Sequence, residues 1–264
     1  MLRGLRTNAG KTLDEVAGVV GLTRSTISKY ETGKILPPVA VVERIADALD
    51  VGSDERRALI DQATAQHTEV HAWRAIQTPS FRRRQDEIRE IEAAATEVRV
   101  FQPSIIPGLL QTPAYCRALL ALDRVRPVEN LTDAVASRME RQTALYDEAK
   151  SFRFVLTEGA LRWRIGSPSV HAVQLHHVAG LANLPNVSVG IIPMLAEVQA
   201  RQTNMFAIFD AAAVVVETMT AELTLREEQL IEFYSRMFDK LSASAVDGEA
   251  AHAILDGIAT ELRQ

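Results

Sequence analysis

Residues 23–34 read TRSTISKYETGK, a run in which short hydroxyl side chains and cations recur at helical spacing. Successive residues of a helix advance by about 100°, so Ile27 and Tyr30 fall on one side, and Arg24, Ser25, Ser28 and Lys29 on the other. One side is built to pack and the other to meet a polar partner. A guanidinium at the start of such a helix offers parallel N–H donors that match guanine O6 and N7. The Lys29 ammonium can reach a base edge or a phosphate, and Ser25, Thr26 and Ser28 suit either. The preceding residues, TLDEVAGVVGL, supply the scaffold. Thr12 is placed to cap a first short helix, Asp14 and Glu15 lie where the helix dipole favours anions, and Gly21 sits at a turn. Leu22 plugs the angle, and Thr23 starts a second helix with a cap worth about 1 kcal/mol. Two helices joined by a tight turn make a helix-turn-helix, and Thr12, Thr23, Arg24, Ser25, Thr26, Ser28, Lys29 and Lys34 are its expected DNA-contacting set.

The first 51 residues, from LRGLRTNAGKTLDEV through YETGK and Pro37 to RIADALDV, resemble the XRE (Cro/C1-type repressor) family. The resemblance implies a pairing of Arg6 in the first helix with Glu31 after the recognition helix, a structural contact worth about 0 to 1 kcal/mol if exposed. Where many members carry a phosphate-binding glutamine this chain has Leu13, so that contact is expected from Thr12 or backbone N–H groups. Residues 1–9 leave barely two turns for the first helix, so the expectation is either a frayed helix or a true start further upstream.

Two hundred and sixty-four residues are too many for a five-helix head alone. Forty-seven per cent hydrophobic residues against 24 % charged, with ten prolines, imply that the remainder folds on a large core. One cysteine, Cys116, excludes an intramolecular disulfide, and no 18-residue apolar run or signal peptide is present, so a cytoplasmic location without membrane contact is expected. Residues 1–50 carry seven Lys or Arg and six Asp or Glu, a net charge of +1; the other 214 carry 22 and 28, a net of −6. A weakly charged head makes few phosphate contacts, so two heads on one DNA, hence a homodimer, are expected.

Domains are expected at 1–63, the helix-turn-helix head; 64–80, a linker helix region; and 81–264, an effector and partner-binding domain. Fourth and fifth helices are expected at 38–49 and 53–66. Phe81, Ile88, Ile91 and Ala95 form an apolar stripe over 81–96, and the run Arg82, Arg83, Arg84 on that helix reads as a solvated face. Five strands follow, near 98–101, 152–156, 187–192, 205–209 and 213–217. Helices alternate with them near 112–122, 130–148 and 170–184, and 221–242 and 248–263 close the chain. The fold class is an α-helical helix-turn-helix domain of five short helices plus a mixed α/β domain of open strand order.

The blocks IIPGLLQTPAYCRALL, SRMERQTALY, FVLTEGALRWRIG and QLHHVAGLANLPNVSVGIIP resemble the C-terminal domain of the WhiJ-like regulators of actinobacteria, over nearly all of residues 80–264. The resemblance implies an XRE head joined to a domain that receives a small partner protein encoded beside it. The residues offer one candidate ligand or partner site: Gly108, Gln111 and Thr112, with free N–H groups at a helix start able to hold an anion, Arg138, Arg141 and Gln142 on one helical face, and Glu158 past a strand end. His171, His176 and His177 share one helix at separations of five, six and one, which are not metal-ligand spacings, so no metal and no cofactor are expected. Cys116 reads as a small buried hydrophobe. With no catalytic constellation the chain is expected not to be an enzyme. The expected function is a sequence-specific regulator binding double-stranded DNA, its C-terminal domain responding to a small partner protein or ligand. The alternative is an autoregulated toxin–antitoxin-like component with an active C-terminal domain.

Overall fold

The computed structural model describes residues 2–72, 81–122, 130–201, 203–218 and 221–263, with side chains for all of these except 65–72, 81–87 and 221. The chain divides into two units, residues 1–70 with 224–230, and 71–223 with 231–264. The break TPS at 78–80 and the side chains of Phe81 and Arg82 to Arg84 fall outside what is described.

The first unit contains α1 (Leu2–Asn8), α2 (Leu13–Val20), α3 (Arg24–Glu31), α4 (Val39–Ala48) and α5 (Ser53–His67). Local chemistry sets its ends. Thr12 and Glu15 form a reciprocal capping box at the start of α2: the Thr12 hydroxyl accepts from Glu15 N–H at 3.2 Å, and Thr12 N–H donates to the Glu15 carboxylate at 2.7 Å. Gly21, at φ 69°, takes the left-handed conformation that stops α2, and Leu22 N–H donates back to Ala17 O at 2.9 Å. Thr23 then caps α3 by accepting from Thr26 N–H at 3.2 Å. Val16, Ala17 and Val20 of α2, Ile27 of α3, and Val41, Ile45 and Leu49 make one core cluster, on which Leu22 and Tyr30 pack. Val39, Val42 and Ala46 close a second with Leu59 and Ala63 of α5.

The second unit is a mixed sheet with helices. β1 (Thr68–Ala72) spans the division, where a linker helix was expected. α6 (Phe81–Ala94) leads to β2 (Glu97–Gln102), a 3-10 turn (Gly108–Leu110), α7 (Pro113–Leu122), α8 (Leu131–Arg141) and a second 3-10 turn (Gln142–Tyr146). β3 (Ser151–Thr157), α9 (Glu158–Arg162), α10 (Pro168–Leu181) and β4 (Val187–Ile192) follow. The chain ends with β5 (Phe206–Phe209), β6 (Ala213–Glu217), β7 (Ala221–Leu225), α11 (Glu228–Ser242) and α12 (Gly248–Glu261), of which β7 and α11 also span the division because 224–230 belong to the first unit. Strands run in the order β1-β7-β6-β5-β2-β3-β4. β2, β3 and β4 are parallel, with Phe154 opposite Val100 and Val189, whereas β5 pairs antiparallel with both β2 and β6.

Among the described residues two strands lie beyond the five expected, β1 and β7. Residues 221–242 were expected as a single helix; the structure gives 221–225 to a strand, because AELTL alternates and the sheet accepts it, and starts α11 at Glu228. The expected helix 130–148 ends at Arg141 and tightens into a 3-10 turn.

Alternate residues Val98, Val100, Phe152, Phe154 and Leu156 bury against Leu175 and Val178 of α10, Leu255 and Ile258 of α12, and Tyr115 of α7. On the opposite face the register neighbours Arg99 and Arg153 both lie over the Phe238 ring of α11, at 5.7 and 5.5 Å. Polar side chains secure the joints between elements. Lys150 Nζ donates to Glu92, Ala93 and Ala95 carbonyls at 2.7, 2.8 and 2.6 Å, satisfying the C-terminal end of α6 and placing a cation at its negative pole. The Asp210 carboxylate, on a residue at φ 49°, accepts from Thr96 and Glu97 N–H, the latter at 2.7 Å. Asn186 Nδ2 reaches the carbonyls of Leu145, Asp147 and Lys150. Replacing Lys150 by Met, which keeps the stem and removes the donors, is expected to lower the unfolding free energy by about 1 to 3 kcal/mol in urea titration.

Candidate nucleic-acid interface

α3 has one packed and one open face. Ile27 is 2 % exposed, whereas Arg24, Ser25 and Lys29 are exposed and Ser28 is half-buried. Arg24, Ser25, Ser28, Lys29, Thr32 and Lys34 line an open groove of about 440 Å³ together with Leu13 of α2. Lys34 is brought back to it by Gly33, whose φ of 69° turns the chain so that Lys34 N–H donates to Lys29 O at 2.9 Å.

The inclination of α3 is fixed from behind by an ion pair. Arg6 donates from Nε and Nη2 to the two Glu31 carboxylate oxygens at 2.5 and 2.9 Å, and from Nη1 to Lys11 O at 2.9 Å. The Glu31 side chain is only 3 % exposed, and Arg3 adds a longer contact at 3.5 Å. Hydrogen bonding from Arg6 holds the Glu31 carboxyl below the usual carboxylate range, against the opposing effect of burial. This bidentate geometry is stronger than the exposed pair the sequence suggests.

Not all of the expected DNA-contacting residues are on the groove. Thr12 spends its hydroxyl inside the capping box, donating to Glu15 at 2.9 Å, and Thr23 and Thr26 share a hydroxyl bond of 2.8 Å at the start of α3. Arg24 Nη1 donates to Asp14 Oδ2 at 3.1 Å, a contact the sequence reading missed because Asp14 was assigned to the helix dipole alone.

The candidate site of the second unit has another role. Gly108, Gln111, Thr112, Arg138 and Gln142 do come together, but their polar atoms are used on one another. Gln142 Nε2 donates to Gly108 O and Gln111 O at 2.9 and 2.6 Å, and Arg138 Nη1 donates to Gln111 Oε1 at 2.9 Å. Gln111 Nε2 in turn donates to Ile106 O at 2.7 Å, and a Cβ on Gly108 would come within 3.4 Å of Arg138 Nε. The N–H groups expected to hold an anion are occupied: Gln111 N–H donates to Gly108 O, and Thr112 N–H to Gln174 Oε1 at 2.6 Å. The anion-pocket expectation is therefore corrected; this irregular buried segment needs its backbone satisfied, and the glutamines do it. Gln174, fully buried on α10 and also donating to Leu110 O at 2.6 Å, is the member the sequence did not single out. Arg141 pairs with buried Glu92. Glu158 is engaged elsewhere, accepting from Arg162 Nε at 2.6 Å and Met194 N–H at 2.8 Å.

His171 is a buried core histidine: Nδ1 accepts from Ile165 N–H at 3.3 Å, and Nε2 therefore carries the proton donated to Leu161 O at 2.6 Å. His176 instead bonds Ala172 O of its own helix. Burial pushes the Cys116 thiol up, away from the reactive thiolate. Among the described residues no group of three His, Cys, Asp or Glu could hold a metal ion, and no helix is long and apolar enough to cross a membrane.

The model of the domain of unknown function DUF5753 matches residues 85–257, and a helix-turn-helix domain matches residues 1–59. No curated protein matches. Among solved structures the chain is similar to NucT from Helicobacter pylori, at 10 % identity and TM-score 0.42, over 69 % of this chain and 98 % of that one. It is also similar to Nuc, a phospholipase D family member from Salmonella typhimurium, at 11 % identity and TM-score 0.38, over 69 % and 97 %. A third is TrmBL2, an archaeal chromatin protein with a novel mode of DNA binding, at 11 % identity and TM-score 0.36, over 78 % and 66 %. With NucT and Nuc among these structures the expectation that the chain is not an enzyme is withdrawn, and at TM-scores below 0.5 the likeness argues for neither an activity nor its absence. At such low similarity no activity is carried across, and none is assigned.

Glu31 gives a pH-dependent test. Its folded pKa lies below its ordinary value of 4.5, so its stabilisation is complete above that value and is lost as the pH falls through the folded one. Glu31→Gln is expected to be about 1 to 3 kcal/mol less stable than wild type at pH 7, with the gap narrowing below about pH 4.5 in urea titrations.

Proposed function

The chain belongs to the DUF5753 family and carries a helix-turn-helix domain ahead of that domain; from this premise we propose that it is a transcription regulator that reads double-stranded DNA through α3. The observation that carries the proposal is the open groove, which gathers Arg24, Ser25, Ser28, Lys29 and Lys34 while the rest of α3 packs. Arg24, in the first turn, is the base reader, with bidentate donation to guanine. Ser25, Ser28 and Lys34 contact phosphates, while Thr12, Thr23 and Thr26, whose hydrogen bonds are taken up in the caps, hold the two helix starts in place behind them.

The XRE resemblance adds a homodimer on a palindromic operator, its half-sites about 34 Å apart. A net charge of +1 over the first 50 residues supports two heads acting together, since one alone makes few phosphate contacts. The second domain is then the receiver of a signal, taken to be a small partner protein encoded nearby, as the WhiJ-like resemblance implies.

Selection of DNA by the full-length protein from a randomised library tests this. Wild type is expected to enrich a palindrome, and Arg24→Ala to lose about 1 to 3 kcal/mol on it with relaxed preference at one position per half-site. A wild-type protein that enriches no sequence, or an Arg24→Ala variant with the wild-type preference, overturns the assignment. Lys29→Ala separates base from phosphate contact by whether its loss depends on sequence.

A further inference from the structure

Asp14 stands at the start of α2 and its Oδ2 takes the Nη1 proton of Arg24, the first residue of α3, at 3.1 Å. Neither helix needs this contact. The N-terminus of α2 is capped by Thr12 and Glu15, that of α3 by Thr23, and both side chains of the pair stand about two-thirds in solvent, 65 % for Asp14 and 67 % for Arg24. An exposed ion pair of this kind adds little to stability. What it does constrain is one side chain on the groove.

We propose that Asp14 is the positioning residue for Arg24 and restricts it to guanine. The inference rests on the reading of α3 as the DNA-reading helix. With Nη1 held by the carboxylate, the guanidinium keeps its Nε–H and Nη2–H edge, two parallel donors at the spacing of guanine O6 and N7. Adenine offers one acceptor and one donor to that edge, so an arginine biased toward this orientation meets a mismatched N–H. An arginine that is not held can rotate to a phosphate or a neighbouring base, and selectivity falls. The carboxylate also repels the DNA backbone, so Asp14 trades sequence-independent attraction for selectivity.

That trade separates positioning from a merely structural role, which would lower both kinds of binding together. In the full-length protein, Asp14→Asn and Asp14→Ala are expected to reduce the preference for guanine at the position governed by Arg24 by about two- to tenfold, the range that ordering one long side chain beforehand is worth. Anisotropy titration on a duplex lacking the site is expected to give equal or tighter binding, and Asp14→Glu to restore part of the preference. A guanine preference unchanged in Asp14→Asn, or a loss spread evenly over all positions together with weaker non-specific binding, overturns the inference while leaving the DNA-reading assignment in place. A wild-type protein without any base preference overturns that assignment first, and this inference with it.

Discussion

Every backbone N–H and C=O taken out of water must find a partner, and this constraint organises both halves of the molecule. In the head, short polar side chains answer it at helix ends: Thr12 and Glu15 at α2, Thr23 at α3. In the α/β unit, longer side chains reach across elements. Lys150 closes the end of α6, Asp210 the start of β2, Asn186 the turn before β3, and His171 the end of α9. The segment between β2 and α7 shows the constraint at its most demanding. Apart from the short 3-10 turn it has no regular structure, yet Ile106, Leu110 and Gln111 are almost fully buried, and Gln111, Gln142 and Gln174 satisfy its backbone. A buried irregular loop is tolerated only where such partners exist.

The head follows a division of labour set by the same physics. Ile27 and Tyr30 bury one face of α3, and the bidentate Arg6–Glu31 pair, shielded from solvent, fixes the helix at its far end. With those anchors in place, the first turn of α3 has no packing duty and its polar side chains stand open. A rigid scaffold presenting polar groups to solvent is what a recognition surface requires. The opposite holds for the cluster around Gly108, where convergence of glutamine and arginine resembles a ligand site in one dimension and in three proves to be internal wiring.

The ambiguity in that cluster has a specific cause. A glutamine on a predicted helix face looks the same whether it awaits a ligand or a carbonyl of its own chain. For Gln142 the deciding partner is 31 positions away, and for Gln174 it is 62. The arginines behave likewise, with Arg141 meeting Glu92 across 49 positions. Strand β7 was hidden for a related reason: AELTL alternates weakly beside a strongly helical stretch, and neighbouring strands tip the balance.

The sequence by itself determined the helix-turn-helix head and the alternation of helices and strands behind it. Caps, left-handed glycines and apolar periodicity act between residues about four positions apart or fewer, so they can be read along the chain. Thr12, Gly21, Thr23 and the Ile27 face are of this kind. The tertiary structure alone decided the strand order, the Asp14 to Arg24 contact and which polar residues of the second unit are already satisfied. These depend on partners that the fold brings together from 10 to 114 positions apart, as Arg24 with Asp14 and Thr96 with Asp210, and hydrogen bonding has no sequence periodicity at that range.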